Sequence, residues 1–416
     1  MRRVVITGMG LVTPLGHDVD QVFDRILQGD CAIQPIASFD TSDYKVKLAA
    51  QVNDLNMEDF FSARELKFND RYTQFARIAS KIAMQHSHVN LDLIDKDRFG
   101  VIMSTGIGGI GSFEKAMESM MVKGVSRISP FFIPMTLVNL AAGIVAIDHQ
   151  AMGECCCVVT GCAAGTSSIG EAFHRIKYGQ QDIMIAGASE ASITSLGVGG
   201  FMAMRALNES SDIHRASIPF DVDRTGFVMG EGAGALIVEE LEHALNRNAE
   251  IYAEIVGYGS ACDAYHMTAP SDDGAGIVKA MTIALAEAKI SCDEIGYINA
   301  HGTSTPLNDK TESMAINQVF QSYRVPVSST KSHIGHLLGA CGAVETIFCI
   351  KALLTGWLPP TIHLINQDPK CDLDIITVKR NSEIHYAMCN NLGFGGHNVS
   401  LIVKKWRQDE KVFFVN

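Results

Sequence analysis

Val158-Val159-Thr160-Gly161-Cys162-Ala163-Ala164-Gly165-Thr166-Ser167-Ser168 joins an apolar run to a helix-forming stretch. The apolar residues Cys155–Val159 read as a buried strand, small residues follow, and a helix is expected over Ile169–Tyr178. A thiol at Cys162 would therefore project from a strand-to-helix elbow. Backbone N–H groups and the helix dipole favour a thiolate at such a place, and the thiolate is the nucleophile. The alternative reading of Cys162 is a small buried residue, the commonest fate of cysteine.

Around this elbow, short β-rich runs alternate with helical ones. Strands are expected at Val4–Thr7, Phe99–Ser104, Ile183–Ala186, Ala235–Glu239, Ile251–Tyr258, Ile295–Ala300, Val325–Ser328 and Val399–Lys404. Helices are expected at Val19–Leu27, Arg71–His86, Gly170–Tyr178, Gly276–Ala288, Lys310–Phe320 and Ala343–Thr355. That alternation predicts an α/β fold with largely parallel strands. Two strand openings, Val5-Ile6-Thr7-Gly8-Met9-Gly10 and Ile255-Val256-Gly257-Tyr258-Gly259, look alike and suggest an internal duplication. The corresponding division is residues 1–250 and 251–406, followed by a tail at 407–416.

The 416 residues are 47% hydrophobic and 19% charged, ordinary values for a globular enzyme. No apolar run approaches the ~18 residues of a membrane span, and no signal peptide is expected. Eleven scattered cysteines in a chain of this size point to reduced thiols and a cytoplasmic location. A net charge of −12 argues against nucleic acid as a partner.

The other motifs differ in strength. Gly106-Ile107-Gly108-Gly109-Ile110-Gly111 matches G-x-G-x-x-G but lacks the acidic residue of a dinucleotide site further on, so it reads as a tight turn near a pocket. Ser328-Ser329-Thr330-Lys331 matches S-x-x-K without the accompanying motifs of serine acylases. His333-Ile334-Gly335-His336 lacks zincin spacing, and no metal is expected. Stronger is Asn299-Ala300-His301-Gly302-Thr303-Ser304-Thr305-Pro306, where a strand delivers a histidine to a loop of small hydroxyl residues. A second loop adds Lys331 and His336 before a helix carrying Glu345. The turn Asn390-Asn391-Leu392-Gly393-Phe394-Gly395-Gly396-His397-Asn398 offers a backbone donor and a mobile ring. Active sites of layered α/β folds gather at such strand ends.

With these residues in order, the chain resembles the β-ketoacyl-acyl carrier protein synthases, most closely their type II branch, from Val4 to about Lys404. The resemblance also rests on Gly200-Phe201, Arg205-Ala206-Leu207, Pro219-Phe220-Asp221, Gly226-Phe227-Val228-Met229-Gly230-Glu231-Gly232 and Asp263-Ala264-Tyr265-His266-Met267-Thr268. It implies a thiolase-like fold, two halves in five αβαβα layers, usually a homodimer. It implies that Cys162 takes an acyl chain from acyl carrier protein (ACP) and that malonyl-ACP, after losing CO2, attacks the thioester. The backbone N–H groups of Cys162 and Phe394 would form the oxyanion hole, His301 and His336 would stabilise the decarboxylation product, and Lys331 would pair with Glu345 to hold the histidine loops. Thr303 and Thr305 match positions that hydrogen-bond the phosphopantetheine arm, which arrives on the carrier, so no cofactor of the chain's own is expected. Phe394 matches a gating phenylalanine, and Ile107 a residue at the bend of the acyl tunnel, where isoleucine is similar to long-chain enzymes. Arg205 matches a carrier-docking residue, and Arg64, Lys67 and Arg71 lie where others occur.

The chain departs from the family's pattern at Gly161, usually Ala, and at Ala163 and Ala164, where a Ser or Thr is usual. His397 stands where Thr is common. Gly161 is expected to loosen the elbow, and the Cys155–Cys157 run to pack as buried strand. A polyketide synthase component would use the same residues, and two further rivals fit parts of the pattern. A chain-length factor typically lacks the nucleophile, and a thiolase would carry a second catalytic cysteine near the C-terminal turn, where Cys389 lies.

Overall fold

The computed structural model describes residues 1–407, so the tail beyond Arg407 lies outside the described residues. Its eleven-stranded sheet comprises β1 (Val4–Val12), β2 (Phe99–Ser104), β3 (Cys155–Cys156), β4 (Ile183–Glu190), β5 (Gly232–Glu240), β6 (Ala253–Cys262), β7 (Ile295–Asn299), β8 (Pro326–Ser328), β9 (Asp374–Ile375), β10 (Tyr386–Gly393) and β11 (His397–Lys405). The spatial order is β9-β8-β7-β10-β11-β6-β1-β5-β4-β2-β3.

That order contains the duplication. Apart from the extra edge strand β9, β3-β2-β4-β5-β1 and β8-β7-β10-β11-β6, each read inward, are the same arrangement. In each half the outer two pairings are parallel and the inner two antiparallel. The halves meet where β1 runs antiparallel to β6. The sheet is therefore mixed rather than largely parallel, because the last strand of each half returns beside the first through a reversed connection.

Five helices position the site: α1 (Arg71–Ser87), α2 (Ala164–Lys177), α3 (Ala275–Ala288), α4 (Pro306–Phe320) and α5 (Cys341–Thr355). Helix α1 covers the outside of β1 and β5, and α3 covers β6 and β11, with α4 packed beside it. Helices α2 and α5 pack on each other between the halves, giving five layers. The repeated glycines of the two strand openings explain the docking. A Cβ at Gly10 would stand 2.2 Å from Ala79 O of α1, and one at Gly259 would stand 1.9 Å from Ala280 O of α3. Each pair lets a helix backbone rest directly on its strand, which is why β1 continues through the glycines to Val12.

Residues Leu338–Thr355 are long and apolar enough to span a membrane, but 83% of that stretch is buried inside the protein. A helix apolar all round is expected of such a central layer. The expected buried strand Cys155–Val159 is corrected here. Only Cys155 and Cys156 pair, at the outer edge beside β2, and both Cys155 and Val159 are exposed. An outermost strand has no second neighbour to cover it.

Candidate active site

Cys162 lies in a single 3-10 turn, Gly161–Ala163, immediately before α2. Gly161 sits at φ +57, where any L side chain is strained. Glycine there relieves the elbow rather than loosening it, and the turn is tightly backed. A Cβ on Gly161 would lie 3.4 Å from Phe394 N, and one on Gly393 would lie 2.1 Å from Thr160 O and 3.3 Å from Cys162 N. The elbow and the glycine turn thus interlock, bringing the Cys162 and Phe394 amides to one place.

Burial raises the Cys162 thiol to about 12; Lys331 opposes the rise, and the Glu190 carboxylate adds to it. The expected thiolate is therefore corrected to a neutral thiol. The nearest cation, Lys331, is already committed, its Nζ 2.5 Å from Glu345 Oε1, with both side chains buried.

His301 follows β7, and its loop is held from α4. The carboxylate of Glu312 accepts the N–H groups of His301 and Gly302, both at 2.8 Å. Ser329 Oγ donates to Gly302 O at 2.6 Å and so stitches this loop to the one bearing Lys331 and His336. His336 is fixed by the Gly226–Gly232 segment: its N–H donates to Val228 O (2.7 Å) and its carbonyl accepts from Gly230 N (2.8 Å). The two imidazoles meet edge to face, with centroids 5.3 Å apart. Phe227 stands edge-on to the other side of His336 at 5.1 Å.

Burial first, and then the Lys331 charge, hold both histidines well below their usual pKa, so both are neutral at pH 7. Leu338 N donates to His336 Nδ1 at 3.3 Å, and Cys341 Sγ lies 3.0 Å from the same nitrogen. Asn391 Nδ2 approaches His301 Nδ1 at 3.5 Å and donates to Glu345 Oε2 at 2.7 Å. Leu338 N donates only to an unprotonated Nδ1, so a neutral His336 carries its proton on Nε2, and the Asn391 amide favours the same tautomer in His301.

Cys162, His301, His336, Thr303, Thr305 and Phe394 all line one cavity of about 390 Å³. The Thr303 and Thr305 hydroxyls bond each other at 2.9 Å. Phe394 is 38% exposed at the cavity wall. The neighbouring Gly395 N donates to Met267 O at 2.8 Å, and Asp263 N donates to Gly396 O at 2.9 Å, so the Asp263–Thr268 segment holds the aromatic turn. Ile107 does not line the open space. It packs in the apolar cluster continuing behind it, with Cys162, Phe201, Phe227 and Leu338.

Arg205 is exposed at the cavity mouth in a left-handed backbone conformation, φ +55. Arg64 and Lys67 are exposed on the helix Ala63–Phe68, and Lys67 borders a separate groove. Arg71 departs from the docking expectation. It forms a double bond-pair to the buried Glu231, at 2.8 and 3.1 Å, and donates to Val52 O at 2.7 Å. A buried carboxylate requires such a partner, so the guanidinium is committed to Glu231 although the Arg71 side chain is 41% exposed.

Cys389 is buried in β10, its thiol donating to Asn391 Oδ1 at 3.6 Å, and it does not reach the cavity. Among the described residues, no group of His, Cys, Asp and Glu is arranged to hold a metal ion. Glu312, Asn391 and Glu190 join the site beyond the residues expected from the sequence. Glu312 carried a signal, an acid on the inward face of α4 beside Thr311, Ala315 and Ile316.

A duplicated five-layer α/β fold with a cysteine elbow and two neutral histidines around one cavity defines a thiolase-like condensing enzyme. The comparisons with known proteins place it further. The family "Beta-ketoacyl synthase, N-terminal domain" matches residues 1–244, and "Beta-ketoacyl synthase, C-terminal domain" matches residues 252–365. The chain belongs to the β-ketoacyl synthase family. It is 46% identical to 3-oxoacyl-[acyl-carrier-protein] synthase 2 of Staphylococcus aureus over 97% of this chain and 99% of that one. It is 45% identical to the Synechocystis protein of the same name over 98% and 99%. Among solved structures, a β-ketoacyl synthase from Burkholderia phymatum matches with a TM-score of 0.91 at 35% identity, covering 98% of this chain and all (100%) of that one. A type II polyketide ketosynthase solved in complex with its acyl-carrier protein matches with a TM-score of 0.90 at 34% identity, covering 97% and 100%.

Proposed function

We propose that the protein is a β-ketoacyl-ACP synthase of type II that elongates acyl chains in fatty-acid synthesis. The observation carrying this reading is the convergence of Cys162, two neutral N–H-donating histidines and the Phe394 turn on one cavity. Cys389 stays outside that cavity, so the second cysteine a thiolase requires is missing from it.

Cys162 Sγ attacks the acyl-ACP thioester, and its proton passes to the leaving carrier thiolate. The tetrahedral oxyanion is held by the Cys162 and Phe394 N–H groups. Malonyl-ACP then enters with its phosphopantetheine arm beside Thr303 and Thr305. Loss of CO2 leaves an enolate whose oxygen accepts from Nε2–H of His301 and His336. Neutral imidazoles serve as donors there without a compensating charge. The enolate carbon attacks the acyl thioester, expels the Cys162 thiolate and gives β-ketoacyl-ACP. A thiol raised to about 12 then recovers its proton from water.

Lys331 and Glu345 hold the histidine loops from behind, and Arg205 meets the acidic carrier at the mouth. We further infer a homodimer in the cytoplasm. The supporting feature is the number of large apolar side chains left exposed between residues 117 and 147: Met117, Met121, Val122, Val125, Ile133 and Ile147. Exposed apolar groups in such number mark protein interfaces.

Purified protein given acyl-ACP and malonyl-ACP should release CO2 and form β-ketoacyl-ACP. His301→Ala should lower malonyl-ACP decarboxylation by about 10²-fold or more, the effect of losing an oxyanion donor. Unchanged turnover would contradict its role.

A further inference from the structure

Behind the cavity lies a buried acid that the mechanism does not use. Glu190, the last residue of β4, has no solvent exposure. Its Oε2 accepts from Gly106 N (2.8 Å) and Gly339 N (3.1 Å). Its Oε1 accepts from Ser192 Oγ (2.9 Å), Thr105 Oγ1 (3.2 Å) and, more loosely, Ile107 N (3.4 Å). Thr105 Oγ1 in turn accepts from Gly108 N at 3.1 Å, so the whole turn bearing Ile107 hangs on this carboxylate. Only an acceptor-only group satisfies donors on both oxygens. A glutamine would turn an NH2 against some of them.

The two turns gripped by Glu190 press on each other beside the cavity: a Cβ on Gly339 would stand 2.2 Å from Gly106 N, and Leu338 lines the open space. One carries Ile107. The other carries Leu338, directly after His336. Both side chains pack in the cluster that contains Cys162. An acyl tail on Cys162 that outgrows the cavity has to push into this cluster, and moving Ile107 stretches the bonds to Glu190.

We propose that Glu190 is a positioning residue that sets acyl-chain length, clamping the Ile107 turn against the Leu338–Gly339 turn so that longer chains must loosen it. This inference rests on the reading of Cys162 as the acyl acceptor. It also makes Thr105 part of the clamp, whereas Ser192, which donates to the same Oε1, belongs to neither turn.

The test is intact-protein mass analysis of the rate of adduct formation on Cys162 with short-, medium- and long-chain acyl-ACP. Glu190→Gln and Thr105→Val should raise the long-to-short ratio of rates about fivefold, the equivalent of one lost hydrogen bond. Ser192→Ala should leave that ratio as it is. Thr105→Val keeps the carboxylate and its remaining donors, so it answers the question if Glu190→Gln does not fold. A uniform fall across all lengths, or an equal change of ratio in Ser192→Ala, overturns the clamp. No adduct of any length on the unaltered protein overturns the reading of Cys162 itself, and the clamp with it.

Discussion

Glu312 shows how much of the site depends on groups that never meet substrate. Burial raises its carboxyl to about 7, against the lowering effect of the Gly302 and His301 amides. Because the folded pKa lies above the unfolded one, this group contributes stability below about pH 4.5, and that contribution is lost as pH rises through about 7. Function runs the other way. Once protonated, Glu312 has an O–H facing one of the two amides it should accept, and the His301 loop loosens. Malonyl-ACP decarboxylation should therefore rise with pH through about 7. Glu312→Gln should remove that limb of the profile and sit about tenfold lower at its plateau, the loss of roughly one buried bond; a pH–rate profile measures both. Cys162, His301, Lys331 and His336 were legible as residues because their types and spacing are distinctive. Their protonation states were not. The thiol's pKa is set first by burial, which is not visible before the chain is folded.

At the level of elements, the interlock between the Cys162 elbow and the Phe394 turn allows little play. Gly393→Ala would drive a Cβ to 2.1 Å from Thr160 O, so the two turns must separate and one oxyanion donor moves away. Acylation of Cys162 should fall about 10²-fold while the fold persists, checked by acylation kinetics beside circular dichroism. Most elements could be read from apolar periodicity, but two misreadings have physical causes. Strand β10 was missed because its buried Asn390 and Asn391 are polar. Each is satisfied in place, Asn390 by Ser400 Oγ at 2.8 Å and Asn391 by Glu345. Helix α2 begins at Ala164, earlier than expected, through the poor helix formers Gly165 to Ser168. Small residues are needed there, since a Cβ on Gly165 would stand 2.6 Å from Ala343 N of α5. Tertiary packing overrides propensity at that helix crossing.

Across the whole molecule, a net charge of −12 is combined with an exposed arginine at the mouth of the cavity. On the proposed function, an acidic carrier would be steered there by a local field, which salt screens. Arg205→Glu should raise KM for acyl-ACP about tenfold at low ionic strength and flatten its salt dependence. Steady-state rates over a salt series check this. Arg71, bound to Glu231, should show no such carrier-specific effect. The duplication was faintly legible in two glycine-bearing strand openings, but the mixed sheet was not, since strand direction is set by long-range returns. The central claim is that Cys162 holds an acyl chain which a decarboxylated thioester then removes. Its most direct test is intact-mass analysis after incubation with acyl-ACP and then malonyl-ACP. The account predicts one acyl adduct, absent in Cys162→Ala and discharged by malonyl-ACP as β-ketoacyl-ACP. No adduct, or one that persists in Cys162→Ala, would contradict it.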